Sequence, residues 1–241
     1  MKRAESGLGQ VLIMKQSKLL SVVLILATML FILSSSIAAA TCWKGFYYLQ
    51  IDNLNLIEET GLTREEIKTA YSEMVDFCNG VKDEFSVGKL HYSESGKDHF
   101  VDCQKLFTLD LRILGISTCV LLLWAIVRRF VKVRSSLILG HNAGFWGAAC
   151  LLVTAVVLTG LGSINFDRTF VIFHTLFFPG KTNWYFDPRV DEVINILPEV
   201  FFMRCAILIV CVLLLECTVL IVSDLVLRKK QKEKQAELQT M

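Results

Sequence analysis

The chain has 241 residues, 54% of them hydrophobic and 20% charged, and its 25 Lys and Arg nearly balance 23 Asp and Glu for a net charge of +2. A mean hydropathy of +0.52 excludes an ordinary soluble domain, because such chains sit nearer about 45–50% apolar, and runs of about 20 apolar residues mark membrane spans. The small net charge averages over two unlike faces and identifies no partner by itself; no nucleic-acid partner is expected.

The first apolar run is 19–40. Ala38, Ala39 and Ala40 resemble a signal-peptide cleavage site, but the run exceeds the roughly 7–15 residues of a signal core, so an uncleaved anchor is expected. A lipid-modified Cys42 is disfavoured by Thr41 before it. The stretch WKGFYYLQID, Trp43 to Asp52, reads as extended or interfacial, with Trp43, Tyr47 and Tyr48 at headgroup level, where amphipathic rings concentrate. Thr63 to Glu66 spells a capping box, and Ile67, Ala70, Tyr71, Met74 and Phe77 recur at helical spacing up to a stop at Gly80, which predicts one amphipathic helix.

In SESGKDHFVDCQKLF, Ser95 or Asp98 is placed to cap a helix that runs into the second apolar run, 107–127. His99 and Asp102 are three residues apart and share a face of that helix. His99 precedes Phe107 by eight residues, about 12 Å of helical rise, so it belongs just above the hydrocarbon boundary. The spacing alone also fits a solvated histidine on an exposed turn. A carboxylate at Asp102 gives the pair chemical interest, because it can fix an imidazole tautomer or shift its pKa.

The loop 128–142 carries Arg128, Arg129, Lys132 and Arg134 without an acid, and the third apolar run is 143–162. Segment 163–204 is aromatic yet holds Asp167, Arg168, His174, Lys181, Asn183, Asp187 and Arg189. Its run Phe170–Phe178 is too short to span, so it is expected to lie in or dip into the interface. An ionisable residue there must be paired or used; a His174 bonded to a neighbouring carbonyl is the structural alternative to a catalytic one.

The fourth apolar run is 205–227, followed by Arg228, Lys229, Lys230, Lys232 and Lys234. The N-terminal segment adds Lys2, Arg3, Lys15 and Lys18, whereas 43–106 has 7 basic against 12 acidic residues. The positive-inside rule puts both termini and 128–142 in the cytoplasm, with 43–106 and 163–204 outside. The expected fold is therefore an all-α polytopic membrane protein, one membrane domain over 1–241 with four transmembrane helices and a small extracellular cap.

Of eight cysteines, Cys119, Cys150, Cys205, Cys211 and Cys217 fall within spans and act as small apolar residues. Cys42, Cys78 and Cys103 lie outside, where a disulfide is open to them. No CxxC or Cys/His ligand spacing occurs, so neither metal nor cofactor is expected. His91 in a polar loop and His141 in a cytoplasmic one are weaker candidates. Glu216 lies about 18 Å of rise below Arg204, too deep to work with outer histidines, and is expected to be paired.

The stretches GKDHFVDCQKLF and FDRTFVIFHTLFFPGKTNWYFDPRVDEVINILPEVFF, with ETGLTREEI and the four-run layout, resemble the bacterial lipoprotein intramolecular transacylases of Gram-positive bacteria from about Leu19 to Leu227. The family often has Val-Lys after the motif Asp, where this chain has Cys103 and Gln104 with Lys105 adjacent. The resemblance implies a cell-membrane enzyme, active at the extracellular face, that acts on diacylglyceryl-modified lipoproteins. It would move an acyl chain from the glycerol sn-2 oxygen to the α-amine of the same cysteine, leaving an N-acyl, S-monoacylglyceryl (lyso) lipoprotein. The two family histidines map onto His99 and His174. Asp102 is the candidate that orients an imidazole, and Arg168, Asn183 and Trp184 are candidates for substrate or oxyanion contacts. The rival reading is a non-catalytic membrane sensor or assembly partner that binds another protein through its outer segments.

The Lys/Arg asymmetry makes topology measurable. In a cysteine-free background, an impermeant thiol reagent should label Thr60→Cys and Thr182→Cys on intact cells, and Ser135→Cys and Gln235→Cys only after permeabilisation. Labelling of position 135 from outside would reverse the orientation.

Overall fold

A computed structural model describes residues 15–131, 133–162 and 165–240; Lys2, Arg3 and Lys132, on which the orientation partly rests, lie outside them. Helix α1 is Lys18–Cys42, opened by the Ser17 hydroxyl, which accepts from the Leu20 N–H at 3.2 Å. Three short helices follow, α2 (Lys44–Tyr48), α3 (Leu56–Thr60) and α4 (Arg64–Cys78). Then come α5 (Glu94–Val127), α6 (Ala143–Gly162), α7 (Phe166–Phe177), a 3-10 turn (Glu192–Ile196) and α8 (Glu199–Thr240). Strands β1 (Lys15–Ser17) and β2 (Val133–Ser135) pair in parallel.

Three helices, α1, α5 and α8, are long and apolar enough to cross a membrane; α6 is apolar over Ala143–Val157. In lipid, only a helix satisfies every backbone group within its own segment, which is why the apolar runs take this form. Helix α1 is the hub, packing on α5, α6 and α8, while α6 also packs on α8. Ile32, Ala148, Leu151, Leu213 and Cys217 fill the α1–α6–α8 seam. Gly147 lets α6 close on α1: a Cβ there would meet Thr28 Cβ at 2.9 Å and the Ile25 carbonyl oxygen at 3.0 Å. One end of this bundle gathers β1, β2, His141 and Asp224, with the His141 Nδ1 at 2.6 Å from Asp224 Oδ2.

The other end carries a second core. Helix α4 has the expected capping box, Thr63 with Glu66, and Gly80 follows its end at φ +71°. Its apolar face, including Ile67, Ala70, Tyr71 and Met74, packs with Tyr47, Val193, Ile196 and Phe201. Residues 44–48 are helical, not extended, and Tyr47 departs from the headgroup placement expected of it. It is fully buried, stacks on Tyr71 with centroids 3.7 Å apart, and donates its hydroxyl to the Ile196 carbonyl at 2.7 Å. Tyr47 turns inward from this short helix while Trp43 and Leu49 stay exposed; a buried phenol needs the acceptor that Ile196 provides. None of the eight cysteines forms a disulfide.

The start of α5 also differs from expectation. Its cap is Ser93, whose hydroxyl accepts from the Gly96 N–H at 2.9 Å, and not Ser95 or Asp98. Ser93 is chosen because Asp191 fixes it from across the fold. The Asp191 Oδ1 accepts from the Ser93 N–H at 2.7 Å and from its hydroxyl at 2.8 Å. This ties the segment before α8 onto the first turn of α5. A Cβ on Gly96 would sit 2.3 Å from that same oxygen. Helix propensity alone favours Gly96→Ala by about 1 kcal/mol, but the clash with a hydrogen-bonded, buried carboxylate outweighs it. Gly96→Ala should therefore lower the thermal midpoint of the purified protein; an unchanged or higher midpoint would remove this contact from the account.

Candidate active site

Helices α5 and α7 bring His99 and His174 together. Their ring centroids are 5.7 Å apart with an interplanar angle of 33°, and both are buried, 5% and 7% exposed. His99 stands on α5 two turns ahead of the apolar stretch that begins at Phe107. Helix α7 is capped by Asn165, whose Oδ1 accepts from the Arg168 N–H at 2.8 Å. His174 falls in its last turn, where the helix dipole favours a donor toward the carbonyl end.

Aromatic rings enclose the pair. Trp184 stacks on His174 at 4.6 Å, and Phe170 lies 4.1 Å from it. Phe186 meets His99 edge-on at 5.5 Å. Phe178 touches both imidazoles, at 4.9 Å from His99 and 5.7 Å from His174. The His174 Nδ1 lies 2.8 Å from the Phe170 carbonyl oxygen. A carbonyl only accepts, so Nδ1 carries the proton and Nε2 keeps its lone pair. His99 Nε2 lies 3.4 Å from the Cys103 Sγ, while its Nδ1 is buried without a hydrogen-bond partner among the described residues.

Burial sets the charge state of both rings. It lowers the His174 pKa below the ordinary 6.5, against a smaller upward pull from the Phe170 carbonyl. Burial is also the largest cause lowering His99; with His174 and Lys181 acting in the same direction and Asp102 opposing them, its pKa falls to about 4. A group whose pKa lies below 6.5 is neutral at pH 7, so each imidazole has a lone pair to offer.

Asp102 does not hydrogen-bond either imidazole, contrary to its expected orienting contact. It is 7% exposed and accepts from Lys105 Nζ at 2.9 Å, from Lys181 Nζ, and from Asn183 Nδ2 at 3.4 Å. Burial raises the Asp102 pKa, but these three donors outweigh it and hold the carboxyl at about 2. Its contribution to the site is to fasten the turn 178–184, which carries Trp184, onto α5. Trp184 is seated by its Nε1–H on the Lys181 carbonyl at 3.1 Å, and the Asn183 Oδ1 is buried without a partner among the described residues.

Of the expected site residues, His99, His174, Asp102, Asn183 and Trp184 thus converge. Arg168 stands apart: it is exposed in the first turn of α7, about 120° around the helix from His174. Glu216 is paired, accepting from the Ser35 hydroxyl at 2.8 Å and 3.1 Å. His91 lies exposed against Glu192 at 3.2 Å. Lys105, Lys181, Cys103 and the rings of Phe170, Phe178 and Phe186 were not among the site residues expected from sequence. The i, i+4 spacing of His99 and Cys103 was the available signal for Cys103.

A family model described as lipoprotein intramolecular transacylase Lit matches residues 22–202. Among solved structures, the chain is similar to the membrane-integral lipoprotein intramolecular transacylase Lit from Bacillus cereus, with a TM-score of 0.77 and 24% identity over 89% of this chain and 97% of that one. A variant of that protein with one histidine replaced by arginine gives a TM-score of 0.73 at 24% identity, covering 90% and 93%. One with alanine there gives 0.73 and 24%, covering 89% and 94%. At this identity the structural likeness carries the fold. No curated protein sequence matches the chain. The family match takes in α5 from its first turn, all of the described α7 and the start of α8, and on it the chain belongs to the lipoprotein intramolecular transacylase family.

Proposed function

We propose that this chain moves an acyl chain from the sn-2 oxygen of a diacylglyceryl-cysteine to the α-amine of the same cysteine, with His174 as proton acceptor and His99 as its partner. The observation that carries this reading is the pair of buried, neutral imidazoles facing each other at 5.7 Å, with the proton of His174 committed to the Phe170 carbonyl. In the same reading α6 is the fourth span, the core built on α2–α4 is an extracellular cap, and the termini are cytoplasmic.

The reaction follows from what these groups offer. The amine nitrogen attacks the sn-2 ester carbon, and its proton passes to His174 Nε2. The tetrahedral intermediate then expels the glycerol oxygen, which takes a proton from the histidine pair, leaving an amide and a free hydroxyl. A reference α-amine pKa of about 7.7–8 leaves part of the amine neutral near pH 7, and its attack on the ester makes the N–H strongly acidic, so a neutral imidazole can take that proton. Donor and acceptor occupy one molecule, so the protein has only to hold them in contact, which supplies up to about 7–11 kcal/mol in the best cases. Serine or cysteine nucleophiles are not required. Buried polar atoms without partners cost about 1–3 kcal/mol each, and the two at His99 Nδ1 and Asn183 Oδ1 fit groups that bind substrate. Phe178 lies on both rings beside the Pro179–Gly180 turn.

His99→Gln and His174→Gln should each cut formation of the lyso-lipoprotein about 10²–10⁴-fold at normal membrane abundance, and the double variant should be little worse. His91→Gln and Glu216→Gln should remain active. Mass spectrometry of lipoprotein N-termini from cells expressing each variant reads the outcome. Near wild-type product from a well-expressed His174→Gln variant would defeat the proposal. A non-catalytic partner protein would leave acylation unchanged in every variant.

A further inference from the structure

The second imidazole of the pair is held from a direction that the reaction scheme does not explain. His99 is followed one helical turn later by Cys103, and the Cys103 Sγ lies 3.4 Å from His99 Nε2. We propose that the Cys103 thiol is a positioning group for His99: its S–H donates to Nε2 and thereby fixes the neutral ring with its proton on Nδ1. This rests on the catalytic reading of His99.

Three observations support the direction of that bond. Imidazole nitrogen is a good acceptor and thioether or thiol sulfur a poor one, so S–H to N is the stronger of the two arrangements. Burial pushes the Cys103 thiol up to about 12, which keeps the proton on sulfur. The remaining groups that face His99 do not compete for its nitrogens. His174 on α7 gives its own N–H to Phe170, Lys181 on the following turn is bound to Asp102, and Asp102 is filled by Lys181, Lys105 and Asn183. Choice of the His99 tautomer therefore falls to the thiol. The arrangement complements His174: one ring presents a lone pair whose proton is locked away, and the other keeps a proton on the nitrogen that no protein group engages. A hydrogen bond to the neutral ring also disfavours its protonation, so losing the thiol should raise the His99 pKa.

The test uses the full-length protein in lipid nanodiscs with a diacylglyceryl-cysteine peptide, comparing Cys103→Val and Cys103→Ser with the native chain. Valine removes the donor with an apolar, slightly larger side chain; serine restores a donor. Cys103→Val should lower kcat about 10-fold with KM within about twofold, the range expected for a group acting through its neighbour. Nitrogen-15 spectra of its His99 should show mixed tautomers and a midpoint moved to higher pH. Cys103→Ser should recover most of kcat and a single tautomer. If Cys103→Val keeps native kcat and tautomer while His99→Gln is inactive, the thiol role is wrong and the dyad stands. A loss in Cys103→Val that serine does not rescue, with the tautomer unchanged, would reduce Cys103 to packing and also overturn the proposal. An active His99→Gln would instead remove the dyad reading beneath it.

Discussion

One buried carboxylate holds the two halves of the site in register. His99 belongs to α5, which is packed along α1 and α4, whereas His174 and Trp184 belong to α7 and the turn after it. Asp102 anchors that turn by accepting from Lys181 and Asn183 while remaining on α5. Burial alone would discharge such a group; three donors keep it ionised. A charge with this many partners is costly to strip of any one of them, so the turn cannot leave α5 without losing a bonded pair. The 178–184 turn, the seat of Trp184 and the stacking of that ring on His174 all follow from it.

The same carboxylate affects the imidazoles mainly by what it keeps away. If Asp102 faced a ring directly, it would favour the imidazolium and remove the lone pair the chemistry needs. Instead its charge is largely answered by two lysines, and the aromatic enclosure of Phe170, Phe178, Phe186 and Trp184 sets a low-polarity surrounding in which both rings stay neutral. Neutral groups also suit the boundary of a membrane, where an unpaired charge is expensive.

Much of this was legible in the residues. The four apolar runs, the Thr63–Glu66 capping box and the two histidines each depend on short-range patterns, and each pattern reports a local cause: burial in lipid, orphan N–H groups at a helix start, an ionisable group in an apolar run. What stayed hidden depends on contacts between distant segments. Tyr47 looked interfacial because nothing local reveals that the Ile196 carbonyl waits for its hydroxyl. Ser93, rather than Ser95 or Asp98, caps α5 because Asp191 reaches it across the fold. Asp102 looked like an imidazole partner by its spacing from His99, but lysines from its own helix and from the 178–184 turn claim it first. Arg168 shares its helix with His174 yet falls on another face, a distinction that needs the helix phase and not merely the motif.

The proposed function requires the acyl group to move within a single substrate molecule, by proton movement between two imidazoles and with no acyl group ever attached to the protein. The direct measurement mixes two diacylglyceryl-cysteine peptides that differ in both peptide mass and sn-2 acyl length, adds the purified protein, and reads each product by mass spectrometry. Every N-acylated peptide should carry the acyl chain it began with, and the protein itself should show no acyl adduct. Peptides bearing each other's chains, or an acylated protein intermediate, would contradict the account.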